Sequence, residues 1–263
     1  MRLYAIYGNP VAHSKSPRIH NAAFRTFGLR DHAYTRFLLE EGSGLVEHFR
    51  HMGLSGANVT VPFKEDAFAQ CDEVRGLARE IGAVNTLVKE GDKVIGYNTD
   101  CDGFMESIRE FEGVGSVLIL GAGGTARAIA LALKRDGKEV VLLNRSEKRL
   151  AFFRDQGFEA ITWEHFEPKA FDLVVNTTSA GLNDDALPAP SDLLKATLSQ
   201  AKYAYDVIYG KEPPFLEEAM RYGLIMKDGK DMLVAQAVHA FIYFTGINEF
   251  ERIKRTMEGV MEL

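Results

Sequence analysis

The feature that most constrains this chain is an apolar run, residues 116–120, that ends in a glycine-rich turn, residues 121–126. The run is apolar on both faces, which is typical of a strand in a parallel sheet covered by helices on both sides. A helical pattern to about Arg135 and a second apolar strand over residues 139–143 follow. The order of strand, glycine turn, helix and strand predicts one crossover unit of a doubly wound parallel sheet.

The glycine-rich turn predicts a dinucleotide site. It reads Gly121, Ala122, Gly123, Gly124, Thr125 and Ala126. This matches G-x-G-x-x-A, in which Gly121 permits the tight turn, Gly123 lacks the Cβ that would block a pyrophosphate, and Ala126 lets helix and strand approach closely. Free backbone N–H groups at the start of the helix favour the negative charge. A turn that serves packing alone would not explain small residues in this register, so we expect the turn to bind a dinucleotide.

The end of the second strand favours NADP over NAD. An NAD enzyme usually presents an acid to the ribose 2′-hydroxyl at this place, whereas this chain has Asn144, Arg145 and Ser146. Arg145 can neutralise a 2′-phosphate, and Arg149 follows one turn later. The alternative is a solvated arginine at a helix start, with Glu147 close by. We expect NADP as the cofactor.

The rest of the chain alternates short apolar strands with helical patterns, which is typical of α/β proteins. In the first half, strands are predicted over residues 3–7, 33–38 and 57–61, with a helix from about Pro17. In the second half, helices are predicted over residues 101–112, 147–155 and 214–222, with strands over 172–175 and 203–207. A long apolar helix is predicted over residues 232–247.

These elements predict an α/β protein of two domains. The N-terminal α/β domain, residues 1–101 plus 237–263, is expected to bind the substrate. Residues 102–236 are expected to form a Rossmann-like, doubly wound NADP-binding domain. With no flexible linker in the sequence, we expect the ligands to bind in a cleft between the two domains.

The composition excludes several classes of protein. Lys and Arg number 31 against 37 Asp and Glu, a formal net charge of −6, whereas proteins that bind nucleic acid or anionic lipid concentrate basic residues. Cys71 and Cys101 have the spacing of neither a zinc knuckle nor a disulfide framework, which favours a reducing cytoplasm. The N-terminus does not read as a signal peptide, and the apolar helix is shorter than a membrane span. We expect a cytoplasmic protein with no nucleic-acid or membrane partner.

The polar residues of the chain fall in clusters that resemble, in order and spacing, the motifs of the shikimate dehydrogenase family. In the first half these are GNPVAHSKSP (8–17), NVTVPFK (58–64), GAVNT (82–86) and GYNTD (96–100). In the second half they are the glycine turn, NRS (144–146), NTTSAG (176–181), DG (228–229) and MLVAQ (232–236). Several motifs in a fixed order are more specific than any one alone, and together they span nearly the whole chain.

The resemblance implies an oxidoreductase that reversibly reduces 3-dehydroshikimate to shikimate with NADPH, in chorismate and aromatic amino-acid biosynthesis. It implies that Lys64 and Asp100 are catalytic and face each other across the substrate. An ammonium beside the reacting oxygen can donate a proton as hydride reaches the carbonyl. Which of the two residues carries the proton is left open by the sequence. The oligomeric state is open as well, with a homodimer among the possibilities.

The resemblance also implies the other site residues. Ser14 and Ser16 would bind the substrate carboxylate, since two hydroxyls at a helix start can point together; an N-cap with a bystander is the alternative. Further substrate contacts would be Asn58, Thr60, Asn85, Tyr209 and Gln236, besides the two catalytic residues. Cofactor contacts outside the glycine turn and residues 144–149 would be Thr178, Val207 and Gly229, the last two against the nicotinamide.

Two rival functions are compatible with these motifs. One is a quinate/shikimate dehydrogenase with broader substrate and NAD use, and the other is a non-catalytic NADP-binding sensor that kept the fold. A metal site at His48 and His51 lacks a third ligand nearby, so we expect no metal and interpret both as solvated histidines. Residues 53–56 do not have the spacing of a nucleophile elbow, which argues against a serine hydrolase.

Overall fold

The computed structural model describes residues 1–261. They form two compact units, the first made of Met1–Gly103 and the chain from Leu233 onward, the second of Phe104–Met232. The predicted divisions lie after residues 101 and 236, whereas the two units divide after residues 103 and 232. The second division lies four residues earlier than predicted because Val234 is buried in the hydrophobic core of the first unit. Residues 262 and 263 of the predicted substrate domain lie outside the described residues.

Strands and helices alternate through most of the chain. The strands are β1 (Arg2–Gly8), β2 (His32–Leu38), β3 (Gly56–Val59), β4 (Glu73–Val74), β5 (Thr86–Glu90), β6 (Lys93–Tyr97), β7 (Ser116–Leu120), β8 (Glu139–Asn144), β9 (Glu159–Thr162), β10 (Leu173–Asn176), β11 (Tyr203–Asp206) and β12 (Ile225–Lys227). The helices are α1 (Ser16–Thr26), α2 (Leu45–His51), α3 (Lys64–Gln70), α4 (Ala78–Ile81), α5 (Asp100–Ser107), α6 (Gly124–Arg135), α7 (Ala151–Asp155), α8 (Ser191–Leu198), α9 (Pro214–Met220), α10 (Lys230–Thr245) and α11 (Phe250–Met261).

The sheet of the first unit is mixed, with strand order β2-β1-β3-β5-β6-β4. β1 pairs in parallel with β2 and β3, whereas β5 is antiparallel to both β3 and β6. The prediction missed β4, β5 and β6. It also carried β3 to residue 61, whereas the strand ends at Val59, because Pro62 has no N–H to donate and the Phe63 N–H closes a turn on the Thr60 carbonyl at 3.1 Å.

Both faces of this sheet are covered. Along β1 successive side chains alternate between two cores, as the two-residue period of a strand requires. Tyr4 and Ile6 pack in the core that includes residues of α1, α10 and α11. Ala5 and Tyr7 pack in the opposite core with residues of α2, α3 and α4. The edge of the sheet at which β1 and β3 end is therefore packed against helices on both faces.

The second unit confirms the prediction of a Rossmann-like, doubly wound fold. Its sheet has the order β9-β8-β7-β10-β11-β12, and every pairing within it is parallel. Numbered along the chain, this is the order 3-2-1-4-5-6 of dinucleotide-binding folds, with its topological switch point between β7 and β10. The glycine turn follows β7, the strand on one side of that switch point.

Two predicted helices of the second unit are shorter than expected. The helix predicted over residues 101–112 ends at Ser107, whose Oγ donates to the Phe104 carbonyl at 2.7 Å. Competition of this kind between a serine side chain and the helical backbone favours helix ends. The helix predicted over residues 147–155 is split into a 3₁₀ turn, Glu147–Arg149, and α7.

Among the described residues, no helix has both the length and the apolar character to cross a membrane.

Candidate active site

The polar residues of the first unit meet at one edge of its sheet. Asn58 lies at the end of β3, and Lys64 opens α3 a few residues later. The antiparallel β5 starts at this edge and β6 ends there, which brings Asn85 and Asp100 to the same place. The mixed sheet, rather than a purely parallel one, thus assembles this cluster.

Lys64 and Asp100 form a close pair in which Asp100 is buried and Lys64 is largely buried. The Lys64 Nζ donates to the Asp100 Oδ2 at 2.5 Å, and the two side chains are 12% and 7% exposed. The backbone N–H of Asp100 donates to the Asn98 Oδ1 at 3.0 Å, which fixes the start of α5. A buried charge pair is stable only when further hydrogen bonds satisfy its remaining lone pairs. The structure therefore holds an ammonium and a carboxylate together in an enclosed place.

Asn85 supplies that further hydrogen bond and ties the cluster together. Its Nδ2 donates to the second carboxylate oxygen of Asp100 at 2.8 Å. Its Oδ1 accepts from the Thr99 backbone N–H at 2.8 Å and from the Thr86 Oγ1 at 2.9 Å. The Thr99 hydroxyl also donates to the Gln236 Oε1 at 3.3 Å, so α10 brings Gln236 to the cluster.

The two predicted carboxylate-binding serines lie together at the start of α1. The Ser14 Oγ donates to the Ser16 Oγ at 3.2 Å, and both residues are buried. The N-cap position is Lys15, whose side chain makes no cap, and the Ser14 Oγ accepts from the Ser16 backbone N–H at 3.3 Å, as in the alternative of a serine at the helix start. Arg36 holds the turn by donating to the Ser14 carbonyl from Nε at 3.2 Å and Nη2 at 2.7 Å.

Asn58 and Thr60 differ in how they are held. Both ends of the Asn58 amide contact protein groups: Oδ1 accepts from the Tyr34 hydroxyl at 2.7 Å, and Nδ2 donates to the Thr86 Oγ1 at 3.1 Å. Thr60 is half-buried, and its backbone N–H donates to the Tyr7 carbonyl at 2.8 Å. The sequence prediction missed Tyr34, which no motif marks.

In the second unit, the glycine turn has the shape that a pyrophosphate needs. Gly121 has φ +109°, and its N–H donates to the Leu143 carbonyl at 2.8 Å. A Cβ at Gly123 would meet nothing within 4 Å, so the space in front of the turn is open. Gly123 is also the N-cap of α6, and no side chain caps this helix. Open backbone donors at a helix N-terminus fit the phosphates of a dinucleotide, and Ala126 is fully buried behind them.

The two arginines predicted to bind a 2′-phosphate lie exposed just after β8. Arg145 directly follows the strand, and Arg149 ends the 3₁₀ turn. The Asn144 Nδ2 donates to the Ser146 carbonyl at 2.8 Å and so shapes the turn between them. Glu147 pairs with Arg154, which lowers the pKa of the Glu147 carboxyl. The acid that follows Arg145 in this turn is therefore neutralised by another arginine.

Thr178, Val207 and Gly229 lie beside a buried polar pair that the sequence did not predict. The Asn176 Oδ1 accepts from the Thr178 N–H at 2.9 Å, and its Nδ2 donates to the Asp206 Oδ2 at 2.8 Å. Burial raises the pKa of Asp206 to about 7, against hydrogen bonds from the Ile208 N–H and Asn176 that lower it. Gly229 packs directly on the backbone of Val207, where a Cβ would not fit.

Tyr209, the last predicted substrate contact, is half-buried in the second unit.

The two histidines weighed as metal ligands differ in their placement. His48 is half-buried, with its Nδ1 2.8 Å from the Tyr7 hydroxyl, and His51 is exposed. His48 is therefore only partly solvated, whereas His51 is exposed to solvent. Among residues 1–261, no group of three or more His, Cys, Asp or Glu side chains could hold a metal ion.

Comparisons with known proteins place the chain in a family. The family model described as the shikimate dehydrogenase substrate binding domain matches residues 6–87. A protein of Helicobacter hepaticus named shikimate dehydrogenase (NADP(+)) is 47% identical over 266 aligned positions, which cover 98% of each chain. The chain belongs to the shikimate dehydrogenase family. A Helicobacter pylori relative of the same name is 46% identical and covers 93% of each chain.

A solved structure of the same family has the same fold. Shikimate 5-dehydrogenase from Thermus thermophilus, in complex with NADP(H) and shikimate, superimposes with a TM-score of 0.84 and 33% sequence identity. The match covers 99% of this chain and 100% of that one. The family resemblance read from the motifs is thus confirmed. The part matched by the family model contains Lys64, Asn85 and both serines, whereas Asp100 follows it.

Proposed function

We propose that this chain is an NADP-dependent shikimate dehydrogenase, an oxidoreductase that reversibly reduces 3-dehydroshikimate to shikimate in chorismate and aromatic amino-acid biosynthesis. The observation that carries the proposal is the 2.5 Å Lys64–Asp100 pair, enclosed among hydroxyl and amide groups at the edge of the first unit. The names of the relatives and the ligands of the Thermus thermophilus structure support it. A non-catalytic sensor would have no need of a buried ion pair, which is costly to keep.

In this proposal Lys64 carries the proton. The two carboxylate oxygens of Asp100 accept hydrogen bonds from Asn85 and Lys64, which suits the ionised, acceptor-only form. Asp100 therefore orients the ammonium, and Lys64 donates a proton to the C3 oxygen as the carbonyl becomes a hydroxyl. In the reverse direction Lys64 accepts that proton. NADPH, when bound, supplies the hydride.

The first unit is the substrate domain in this proposal. Ser14 and Ser16 offer paired hydroxyls to the carboxylate, and the turn that carries them is held by Arg36. Asn58, Thr60, Asn85, Tyr209 and Gln236 remain proposed substrate contacts. Asn58 and Asn85 also hold their neighbours, so part of their hydrogen-bonding capacity is already used by the protein.

The second unit is the NADP domain in this proposal. The open glycine turn would take the pyrophosphate, and Arg145 and Arg149 would take the 2′-phosphate. Thr178, Val207 and Gly229 stay proposed contacts near the nicotinamide. A cytoplasmic location stays a prediction that rests on the sequence alone. A homodimer is likewise a prediction that awaits a measurement of mass in solution.

Steady-state kinetics with four substrate pairs test this function. Shikimate and quinate are each oxidised with NADP and with NAD, and the reduced nicotinamide is followed by its absorbance. We expect kcat/KM for shikimate with NADP to exceed that of the other three pairs by at least about tenfold, or about 1.4 kcal/mol. Equal turnover of quinate would favour the broader quinate/shikimate enzyme, and no turnover of any pair would favour the sensor.

A further inference from the structure

A series of buried hydrogen bonds leads from Tyr34, on β2, to the carboxylate of Asp100. The Tyr34 hydroxyl donates to the Asn58 Oδ1 at 2.7 Å, and the Asn58 Nδ2 donates to the Thr86 Oγ1 at 3.1 Å. The Thr86 hydroxyl donates to the Asn85 Oδ1 at 2.9 Å, and the Asn85 Nδ2 donates to the Asp100 Oδ1 at 2.8 Å. Each residue is buried, so water does not compete for these bonds.

The orientation of each amide in the series is set by the groups on its two sides, and for Asn58 one of these groups is the Tyr34 hydroxyl. An amide side chain has its acceptor on one side and its donors on the other, so the group that contacts each side decides which way the amide points. A phenol hydroxyl that donates to the Asn58 Oδ1 turns the Asn58 Nδ2 towards Thr86 and the Asn85 carbonyl. Burial raises the pKa of Tyr34 well above its ordinary value, so the hydroxyl keeps its proton and stays a donor.

The position of Tyr34 is itself fixed by α1. Asn21 holds the backbone from both sides: its Oδ1 accepts from the Tyr34 N–H at 2.9 Å, and its Nδ2 donates to the Tyr34 carbonyl at 2.8 Å. The imidazole of His20 stacks on the phenol ring, with centroids 4.4 Å apart and planes within 1° of parallel. Burial lowers the pKa of His20 to about 3, so this ring is a neutral plate. The hydroxyl of this fixed ring contacts Asn58, and it also forms a side-chain hydrogen bond with Ser16.

We propose that Tyr34 is a positioning residue for the Lys64–Asp100 pair, acting through Asn58 and Asn85. The inference rests on the proposed function and names a residue that supports its chemistry without touching the reacting atoms. Tyr34 holds the Asn58 amide in one orientation, Asn58 and Thr86 hold Asn85, and Asn85 holds the carboxylate that orients the Lys64 ammonium. A small error in the direction of a proton donor lowers the rate of the chemical step more than it weakens the binding of substrate.

The test compares Tyr34→Phe with Tyr4→Phe in the complete chain. Tyr4 is a suitable control because it is also fully buried in the first unit, and its hydroxyl donates to the Phe244 carbonyl, outside the series. For Tyr34→Phe we expect kcat for shikimate oxidation to fall about tenfold while KM rises less than about threefold, because misorientation acts on the transition state. For Tyr4→Phe we expect both constants to stay within about twofold of wild type. The dissociation constant of shikimate, measured by calorimetry, should change as little as KM does.

A second variant tests the route. Asn58→Ala breaks the series at the next residue, so it should lower kcat by a similar factor, and Tyr34→Phe in that background should add less than about twofold. Circular dichroism reports whether each variant is folded. If Tyr34→Phe does not fold, Thr86→Val decides, because it breaks the same series at a residue that is not a proposed substrate contact. Unchanged kcat in folded Tyr34→Phe, or full additivity with Asn58→Ala, overturns the inference. Absence of wild-type turnover overturns the proposed function instead, so the two failures are distinguishable.

Discussion

The two candidate sites of this chain are built in opposite ways. In the first unit, Asp100 is buried and Lys64 largely so, and side chains hold other side chains through several successive hydrogen bonds. In the second unit, the cofactor face consists of backbone N–H groups in an open turn, flanked by the exposed side chains of Arg145 and Arg149. One site is closed by its own residues, and the other presents donors to the solvent.

This difference has consequences for how each site responds to change. In a buried network the low dielectric strengthens each contact, and removal of one partner leaves others unsatisfied. Exposed charges act through solvent and salt, so each contributes little and independently. We therefore expect substitutions in the first unit to have large, coupled effects and substitutions at the cofactor face to have small, local ones.

The largest effect should come from Lys64→Ala. This change removes the proposed proton donor, so we expect kcat to fall about 1,000-fold, within the ~10²–10⁴ that a positioned proton donor contributes. Steady-state rates of shikimate oxidation measure it, and calorimetry should show that NADP still binds, since the glycine turn is unchanged. Lys89→Ala, an exposed lysine of the same unit, is the matched control. If Lys64→Ala keeps the wild-type kcat, the closed site is not catalytic.

Much of the fold could be predicted from the sequence, because its strongest signals are local. The continuous apolar strand and the glycine turn fix the crossover at the centre of the second sheet. The hairpin of β5 and β6 was missed, although Gly91 and Asp92 separate two apolar runs as in a two-residue hairpin. The polar residues Lys89, Glu90 and Lys93 that flank this turn weaken the apolar pattern on which a strand prediction depends.

The candidate site was predictable only where a motif marks it. The pairing of Lys64 with Asp100 came from the family pattern, since nothing local connects residues so far apart in the chain. Tyr34 carries no motif signal, because a tyrosine within an apolar strand is typical of an ordinary core residue. Asp206 stands in the segment that carries Tyr209, but its pairing with Asn176, like the position of Tyr34, depends on the register between strands, and register is not readable from single residues.

A smaller effect should come from Asp206, the buried carboxyl of the second unit. Its pKa is raised to about 7, so between about pH 4 and pH 7 the folded state binds a proton that the unfolded state has lost. Its contribution to the free energy of unfolding is therefore complete below about pH 4 and falls as pH rises to about 7. Asp206→Asn should remove this slope, which is on the order of 2–4 kcal/mol.

Denaturation followed by the fluorescence of Trp163 measures this slope. Trp163 is the one tryptophan of the chain and lies in the second unit, so it reports on the unit that holds Asp206. Asp172→Asn is the control. Lys202 and backbone N–H groups lower the pKa of Asp172, so the titration of this carboxyl changes the free energy of unfolding only at acid pH. If the free energy of unfolding changes with pH in the same way for wild type and for Asp206→Asn from pH 5 to 8, Asp206 does not titrate in that range.

The smallest effect should come from Arg145→Ala at the open cofactor face. Loss of one exposed, charge-assisted contact to a 2′-phosphate should raise KM for NADP about tenfold, or about 1.4 kcal/mol, and leave KM for NAD unchanged. Lys148→Ala removes the same charge from the same turn and should change either constant less than about twofold, which separates a directed contact from general attraction. Added salt should narrow the gap between wild type and Arg145→Ala, because an exposed contact is screened within about 10 Å at 0.1 M salt. An equal rise in KM for NAD would mean that Arg145 does not contact the 2′-phosphate. A salt-independent loss of several hundredfold would mean that the cofactor site is as closed as the substrate site, and the contrast between the two units would then be wrong.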